Sequence, residues 1–362
     1  MPRRPAPRAT LASIAAELGV SRTTVSNAYN RPDQLSPELR ERILATAGAL
    51  GYPGPNPTAR SLRTARAGAV GVILTERLAY AFEDQASVDF LAGLAADNSD
   101  LSLTLLPAGP RGEEATNEEL VSNAIVDGFV VYSVPAADPH LKAARSRGLP
   151  VVVCDQPASL SGVPYVGIDD FAAIQPAAAE LVRAGHRRIG ILTKRLFSTP
   201  RDGIVSRAEV ERSDMHVQRN RVRGALEVFS AAGITEVPIV NRHFNDLASA
   251  ADGARELVGT HPDITAVLCT TDSMALGVLK AFGPAVPREL SVTGFDGIAA
   301  ARNLGLTTVE QPNILKGREV GRVLCALIDA HSTSPHTAGP TPSRTLLETT
   351  FVPGRTVGPP HS

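Results

Sequence analysis

The sequence predicts a small all-α headpiece carrying a helix-turn-helix, followed by an α/β body of two parallel-sheet subdomains. Three observations predict it. The first 66 residues gather positive charge and hold three short amphipathic segments with helix caps. From Ala69 onward apolar strands alternate with helical segments. The length of 362 residues exceeds what one core of about 100–150 residues organises.

Composition narrows the class. Hydrophobic residues make up 43% and charged residues 20%, ordinary for a globular chain, and no apolar run approaches the roughly 20 residues of a membrane span. Arg3 and Arg4 are followed by no apolar segment of the kind a secretory signal needs, so a cytoplasmic protein without a membrane partner is expected. Cys154, Cys269 and Cys325 are odd in number and lack C-x-x-C spacing. They read as buried packing rather than a disulfide framework or a zinc site. Residues 1–66 carry ten arginines against four acids, a local charge of +6 in a chain of net charge -1, which leaves -7 on the rest. A basic end on an acidic body suits a protein of which one end meets a polyanion.

In the headpiece, Thr10 is placed to cap a helix whose apolar positions are Leu11, Ile14, Ala15 and Leu18, and Gly19 supplies its left-handed stop. Ser21 then caps a second helix, Arg22 to about Tyr29, with Val25 and Ala28 inward and Arg22, Thr23 and Ser26 outward. Ser36-Pro37-Glu38 opens a third, with a stripe of Leu39, Ile43, Ala47 and Leu50 and a stop at Gly51. In a helix-turn-helix the second helix enters the major groove by its N-terminal residues. The guanidinium of Arg22 matches the O6/N7 pair of guanine, Thr23 stands beside it, and Asn27 is suited to adenine or to a phosphate.

The run Thr10-Leu11-Ala12-Ser13-Ile14-Ala15, then Gly19-Val20-Ser21-Arg22-Thr23-Thr24-Val25-Ser26-Asn27, then Leu50-Gly51-Tyr52, resembles the lactose/galactose repressor (LacI/GalR) family. Asn56 to Thr64 is similar to that family's hinge helix, which folds on DNA in the minor groove. The resemblance implies that Leu62 wedges a base step while Arg60, Arg63 and Arg66 hold phosphates. The prolines at 53, 55 and 57 also read as an extended linker. The DNA-contacting set is therefore Thr10, Ser21, Arg22, Thr23, Ser26, Asn27, Ala59, Arg60, Leu62 and Arg63. Asn27 stands where many relatives carry arginine, which leaves the operator sequence open.

Strands are expected at 69–75, 101–106, 128–133, 151–155, 188–193, 237–240, 265–270 and 291–295, with one last strand at 344–352. Their continuously apolar character, as in Val151-Val152-Val153, suits a sheet covered on both faces. Neither G-x-G-x-x-G nor G-x-x-x-x-G-K-[ST] occurs in a nucleotide-binding context, the hydrolase elbow G-x-S-x-G is missing, and no metal-ligand spacing appears. No cofactor is expected and the chain does not read as an enzyme. The body resembles the family's effector domain, a periplasmic-binding-protein-like pair of lobes. That resemblance implies effector contacts from Asp155, Arg221 and Asp272, whose charges suit hydroxyl groups, with Phe295 beside them at a strand end. Asp272 also reads as a helix cap and Arg221 as a surface arginine. His186 reads as structural.

The segment from Lys194 to Asn220 is longer than the usual connection of about 2–6 residues, and reads either as a lid or as a disordered insertion. The division expected is 1–52 helix-turn-helix, 53–67 hinge, 68–352 effector-binding and dimerisation body, and 353–362 flexible tail. The implied function is that of a DNA-binding transcriptional regulator, a homodimer on double-stranded operator DNA, controlled by a small polar effector. A solute-binding protein, or an α/β enzyme with an appended DNA-binding domain, is the alternative.

Overall fold

The computed structural model describes residues 9–54, 66–74, 78–96, 101–107, 118–333 and 343–361, in two compact units, Met1–Ala67 and Gly68–Ser362. In the first unit, α1 (Leu11–Leu18) starts in a reciprocal capping box. The Ser13 amide donates to Thr10 Oγ1 at 3.2 Å and the Thr10 amide donates to Ser13 Oγ at 2.8 Å. Gly19, at φ 66°, ends the helix in the left-handed region. Helix α2 (Arg22–Asn30) is capped by Ser21 Oγ, which accepts from the Thr24 amide at 2.9 Å. Helix α3 (Pro37–Ala49) is capped by Ser36 with Pro37 in its first turn. Ile14, Ala15, Val25, Ala28, Ile43 and Ala47 form the buried centre. Leu50, expected in that core, is 42% exposed because it follows the last turn of α3.

The body holds thirteen strands among the described residues: β1 (Ala69–Leu74), β2 (Ser102–Pro107), β3 (Gly128–Tyr132), β4 (Val151–Cys154), β5 (Tyr165–Gly167), β6 (Ile189–Lys194), β7 (Gly203–Val205), β8 (Ile239–Arg242), β9 (Ala266–Cys269), β10 (Ser291–Thr293), β11 (Thr308–Glu310), β12 (Arg344–Leu346) and β13 (Thr350–Val352). The first lobe is a parallel sheet of order β12-β5-β4-β3-β1-β2. The second lobe has order β10-β9-β6-β8-β7, parallel except for β7. Strands β3 and β4 are buried along their whole length, as their unbroken apolar sequences require.

Three connections join the lobes. The chain leaves β5 for the helix Asp170–Arg183 of the second lobe, returns from β11 into the helix Asn313–Thr333 of the first, and passes once more from β12 to β13. The single strand expected at 344–352 is thus two strands in different sheets, because the chain crosses between lobes at residues 347–349. In the first lobe the helix Gln85–Ala96 crosses Asn313–Thr333 through Gly93 and Gly317. A Cβ on Gly317 would lie 2.1 Å from the Phe90 carbonyl oxygen, so the crossing admits only glycine without a shift.

Two expectations are corrected here. The residues after Pro353 are not a flexible tail. Strand β10 lies at a sheet edge whose backbone groups need partners, and the chain end supplies them. The Val292 amide donates to the Thr356 carbonyl at 2.8 Å and Thr356 Oγ1 donates to the Val292 carbonyl at 2.7 Å. His186, read as structural, lies against Thr265 Oγ1 at 2.8 Å and the Gly358 carbonyl at 2.9 Å. The second correction concerns the cysteines: Cys154 and Cys269 are buried, but Cys325 is only partly so.

The segment from Lys194 to Asn220 is an ordered addition to the second lobe. Strand β7 pairs antiparallel with β8, and Asn241 anchors the loop on either side, accepting from the Leu196 amide and donating to the Arg201 carbonyl. Its short helix Arg207–Glu211 begins in a capping box between Ser206 and Glu209.

Candidate functional site

On the headpiece, Arg22 and Thr23 lie exposed on the first turn of α2. Thr10 and Ser21 are engaged as caps. Ser26 accepts from Asn30 Nδ2, through its carbonyl at 3.0 Å and its Oγ at 3.1 Å, and Asn27 Nδ2 donates to Gln34 Oε1 at 3.1 Å. Among the described residues, the two side chains of the first turn without such a contact are an arginine and a threonine, which suits readout of base edges. Ala59, Arg60, Leu62 and Arg63 lie outside the described residues.

Among the described residues of the body, four other than glycine have positive φ: Ser133 at 58°, Asp155 at 64°, Arg195 at 38° and Asp296 at 124°. They follow β3, β4, β6 and β10, at the carboxyl ends of strands in both lobes. Such conformations cost about 1–3 kcal/mol each and gather at binding sites. Between these strand ends lies a cavity of about 70 Å³, with Leu74, Tyr132, Ser133 and Gln156 on the first lobe and Lys194, Arg195, Met215 and Gln218 on the second. Tyr132 is braced by a stack on Phe90, ring centroids 4.2 Å apart. Gln156 links the walls: its Nε2 donates to the Ser133 carbonyl at 3.3 Å and its Oε1 accepts from the Val217 amide at 3.1 Å.

Behind this cavity runs a buried chain of charge. Lys316 Nζ, fully buried, donates to both carboxylate oxygens of Asp155 at 3.0 and 2.9 Å and to Gln311 Oε1 at 2.8 Å. Gln311 Nε2 donates to Asp296 Oδ1 at 2.6 Å. Arg221 Nη1 donates to the same oxygen at 3.3 Å and to the Thr270 carbonyl at 2.9 Å, and Arg221 Nε donates to Asp170 Oδ1 at 2.8 Å. The Arg221 guanidinium lies 3.8 Å from the Phe295 ring centroid. The network passes from the first lobe, through the β11 connection, to the second.

Of the four effector residues expected from sequence, the network unites Asp155 and Arg221 and stacks the latter on Phe295. None of the four borders the cavity itself. Phe295 is fully buried in the second-lobe core, with the guanidinium over its ring, so no ligand face is left there. Arg221 is 4% exposed, which excludes the surface reading. Asp272 is fully buried: Oδ2 accepts from the Ile298 amide at 2.9 Å and Oδ1 from Thr308 Oγ1 at 2.6 Å. The helix cap is Thr271, whose Oγ1 accepts from the Met274 amide. Sequence reasoning missed Asp296, although it directly follows Phe295 at the strand end. It also missed Lys316, which the spacing of its helix did not distinguish, and the cavity walls.

Burial pushes the Asp272 carboxyl up to about 7, helped by the nearby charge of Asp296. Burial likewise raises Asp170 and Asp296 to about 6 against the opposing pull of Arg221. A carboxyl raised on folding holds a proton that the unfolded chain has already released, so its contribution to stability falls as pH rises from about 4 to about 7. Asp272→Asn keeps one acceptor for Ile298 and gives a donor for Thr308. We expect the variant to melt above the parent at pH 8 and to lose part of the parent's decline between pH 5 and pH 8 in thermal melts.

Residues 67–344 match the family model described as periplasmic binding proteins and sugar binding domain of LacI family. The HTH-type transcriptional regulator IpsA of Corynebacterium glutamicum is 54% identical over 357 residues, 97% of this chain and 98% of that protein. This chain belongs to the LacI family of transcriptional regulators. A crystal structure of a LacI-family regulator from Corynebacterium glutamicum has 50% identity and a TM-score of 0.74, covering 96% of this chain and 98% of that one. The transcriptional regulator CelR, solved as a cellobiose complex, has 27% identity and a TM-score of 0.67, covering 96% of this chain and all (100%) of that one. LacI-family membership accounts for the helix-turn-helix headpiece and the two-lobed body. No helix among the described residues is long and apolar enough to cross a membrane.

Proposed function

We propose that this LacI-family chain is a homodimeric transcriptional repressor, not an enzyme, that acts in the cytoplasm on near-palindromic double-stranded operator DNA. A small polar metabolite held between its lobes tunes its affinity. The carrying observation is the pair Arg22 and Thr23, exposed on the first turn of a capped recognition helix. Ala59, Arg60, Leu62 and Arg63 form the hinge that reaches the minor groove, with Leu62 as the wedge. Asp155 and Arg221 act from behind the cavity, holding the strand ends that face the ligand.

Apolar side chains on both lobes suit a partner chain: Phe82 and Leu315 are 60% and 51% exposed on the first, and Leu247 and Leu304 are 46% and 51% exposed on the second. Lobe closure moves these faces and alters the spacing of the two hinges. A coupling of about 1–3 kcal/mol changes operator affinity about 5–150-fold.

The test is fluorescence anisotropy with the protein's own upstream DNA and a scrambled duplex of equal length. Arg22→Ala is expected to weaken specific binding by about 1–3 kcal/mol, roughly 5- to 150-fold, with a small effect on the scrambled duplex. Equal affinity of the wild type for both duplexes would overturn the reading.

A further inference from the structure

The two asparagine amides on the outer side of α2 are engaged differently. Asn30 turns Nδ2 back on its own helix, to the Ser26 carbonyl at 3.0 Å and Ser26 Oγ at 3.1 Å. Asn27 makes one bond, from Nδ2 to Gln34 Oε1 at 3.1 Å, and keeps a second N–H and its carbonyl oxygen. Asn27 stands one turn beyond Thr23, on the same face of the helix. Gln34, which is exposed, closes the 3₁₀ turn Pro32–Gln34 that follows α2. The backbone of that turn is fixed: Pro32 locks its own φ, the Gln34 amide donates to the Arg31 carbonyl at 3.0 Å, and the Leu35 amide donates to the Pro32 carbonyl at 3.2 Å. Leu35 packs against the buried centre of the headpiece.

We propose that Asn27 reads an adenine in the major groove and that Gln34 is the positioning residue that holds the Asn27 amide for this contact. This rests on the reading of the chain as an operator-binding regulator. An asparagine amide presents a donor beside an acceptor, which match N7 and the N6 amino group of adenine. Guanine offers two acceptors there, cytosine a donor only, and thymine an acceptor beside a methyl group. An unrestrained side chain loses its rotamer freedom on binding, and the bond to Gln34 removes part of that freedom in the unbound protein. Arg22 and Asn27 lie about 7.5 Å apart along the helix axis. They therefore meet different base pairs.

Two other roles for the pair leave different signatures. A bond that only closes the loop after α2 sets the melting temperature of the headpiece and no base preference. A contact from either amide to a phosphate changes affinity for every sequence alike.

The test is competition anisotropy with the full-length protein on duplexes in which each base pair of its upstream site, located by footprinting, is changed in turn to the other three. The wild type is expected to favour adenine at one base pair of each half-site by about 5- to 150-fold. Asn27→Ala is expected to abolish that preference and to leave in place the one that Arg22→Ala removes. Asn27→Arg is expected to change it to guanine. Gln34→Leu is expected to reduce the adenine preference by roughly 2- to 12-fold at that base pair alone. Gln34→Glu keeps an acceptor for Asn27 and is expected to keep the preference, while its charge weakens binding to all the duplexes alike. Circular dichroism confirms that each variant is folded. A uniform loss across the duplexes or an unchanged base profile in Asn27→Ala or Gln34→Leu overturns the proposal. So does a base other than adenine at the Asn27-dependent position, or a Gln34→Glu profile like that of Gln34→Leu. Each of these outcomes leaves the regulator reading standing, whereas a wild type that binds its upstream DNA no better than a scrambled duplex overturns both.

Discussion

Lys316→Met is expected to destabilise the body by about 3–5 kcal/mol, a fall in melting temperature of roughly 5–15 °C. The ammonium is fully buried and makes three hydrogen bonds, two of them to Asp155, which is itself 7% exposed. Methionine matches its length, so little cavity forms and the cost comes from leaving a carboxylate buried without its cation. Asp155 sits at φ 64°, where asparagine is among the best-tolerated residues, so Asp155→Asn is the matching change. The double variant Lys316→Met/Asp155→Asn is expected to regain most of the loss. A single variant as stable as the parent in urea melts would show that the pair does not hold the β4 end to the helix Asn313–Thr333.

Gly317→Ala should cost about 3 kcal/mol, at the upper end for overpacking. Its added methyl meets the Phe90 carbonyl oxygen at 2.1 Å and the Leu94 amide nitrogen at 2.6 Å, both backbone atoms that cannot rotate away. The helices Gln85–Ala96 and Asn313–Thr333 must then part. Gly259, inside the helix Leu247–Thr260, gives the control: nothing lies within 4 Å of an added Cβ there. Gly259→Ala is expected to stabilise by about 0.5–1 kcal/mol, so the same substitution in two helices shifts the melt in opposite directions.

Local chemistry was legible from sequence, and long-range partnership was not. Thr10, Ser21 and Ser36 cap their helices through atoms three residues away, a range that sequence spacing encodes. The strand rhythm of the body was readable for the same reason. Arg221 stood out by its motif, yet its partners Asp170 and Asp296 are 51 and 75 residues distant, and only the fold turns the arginine inward. Asp272 reads as a helix cap, but the cap is Thr271 and the Asp272 carboxylate serves Ile298 and Thr308, 26 and 36 residues on. Lys316 belongs to no motif. Its partner Asp155 is 161 residues away. The chain end misled for a related reason: its proline and glycine content suits a free tail, and the open edge of β10 that binds it exists only once the second sheet has formed.

The cavity walls were the least legible. Ser133, Gln156, Arg195 and Gln218 carry no motif, and what assembles them is the placing of strand ends from two lobes opposite one another. The positive φ angles at Ser133 and Arg195 are a backbone property that their side-chain types do not announce.

A DNA-reading headpiece is joined to a ligand-reading body, and reciprocity tests the join most directly. Operator affinity should be titrated by anisotropy with and without a saturating amount of the small polar metabolite that most raises the melting temperature, and the affinity for that metabolite with and without operator. Linkage requires both affinities to change by the same factor, about 5–150-fold for a coupling of about 1–3 kcal/mol. An operator affinity that stays constant while the ligand saturates the body would contradict coupling between the two sites.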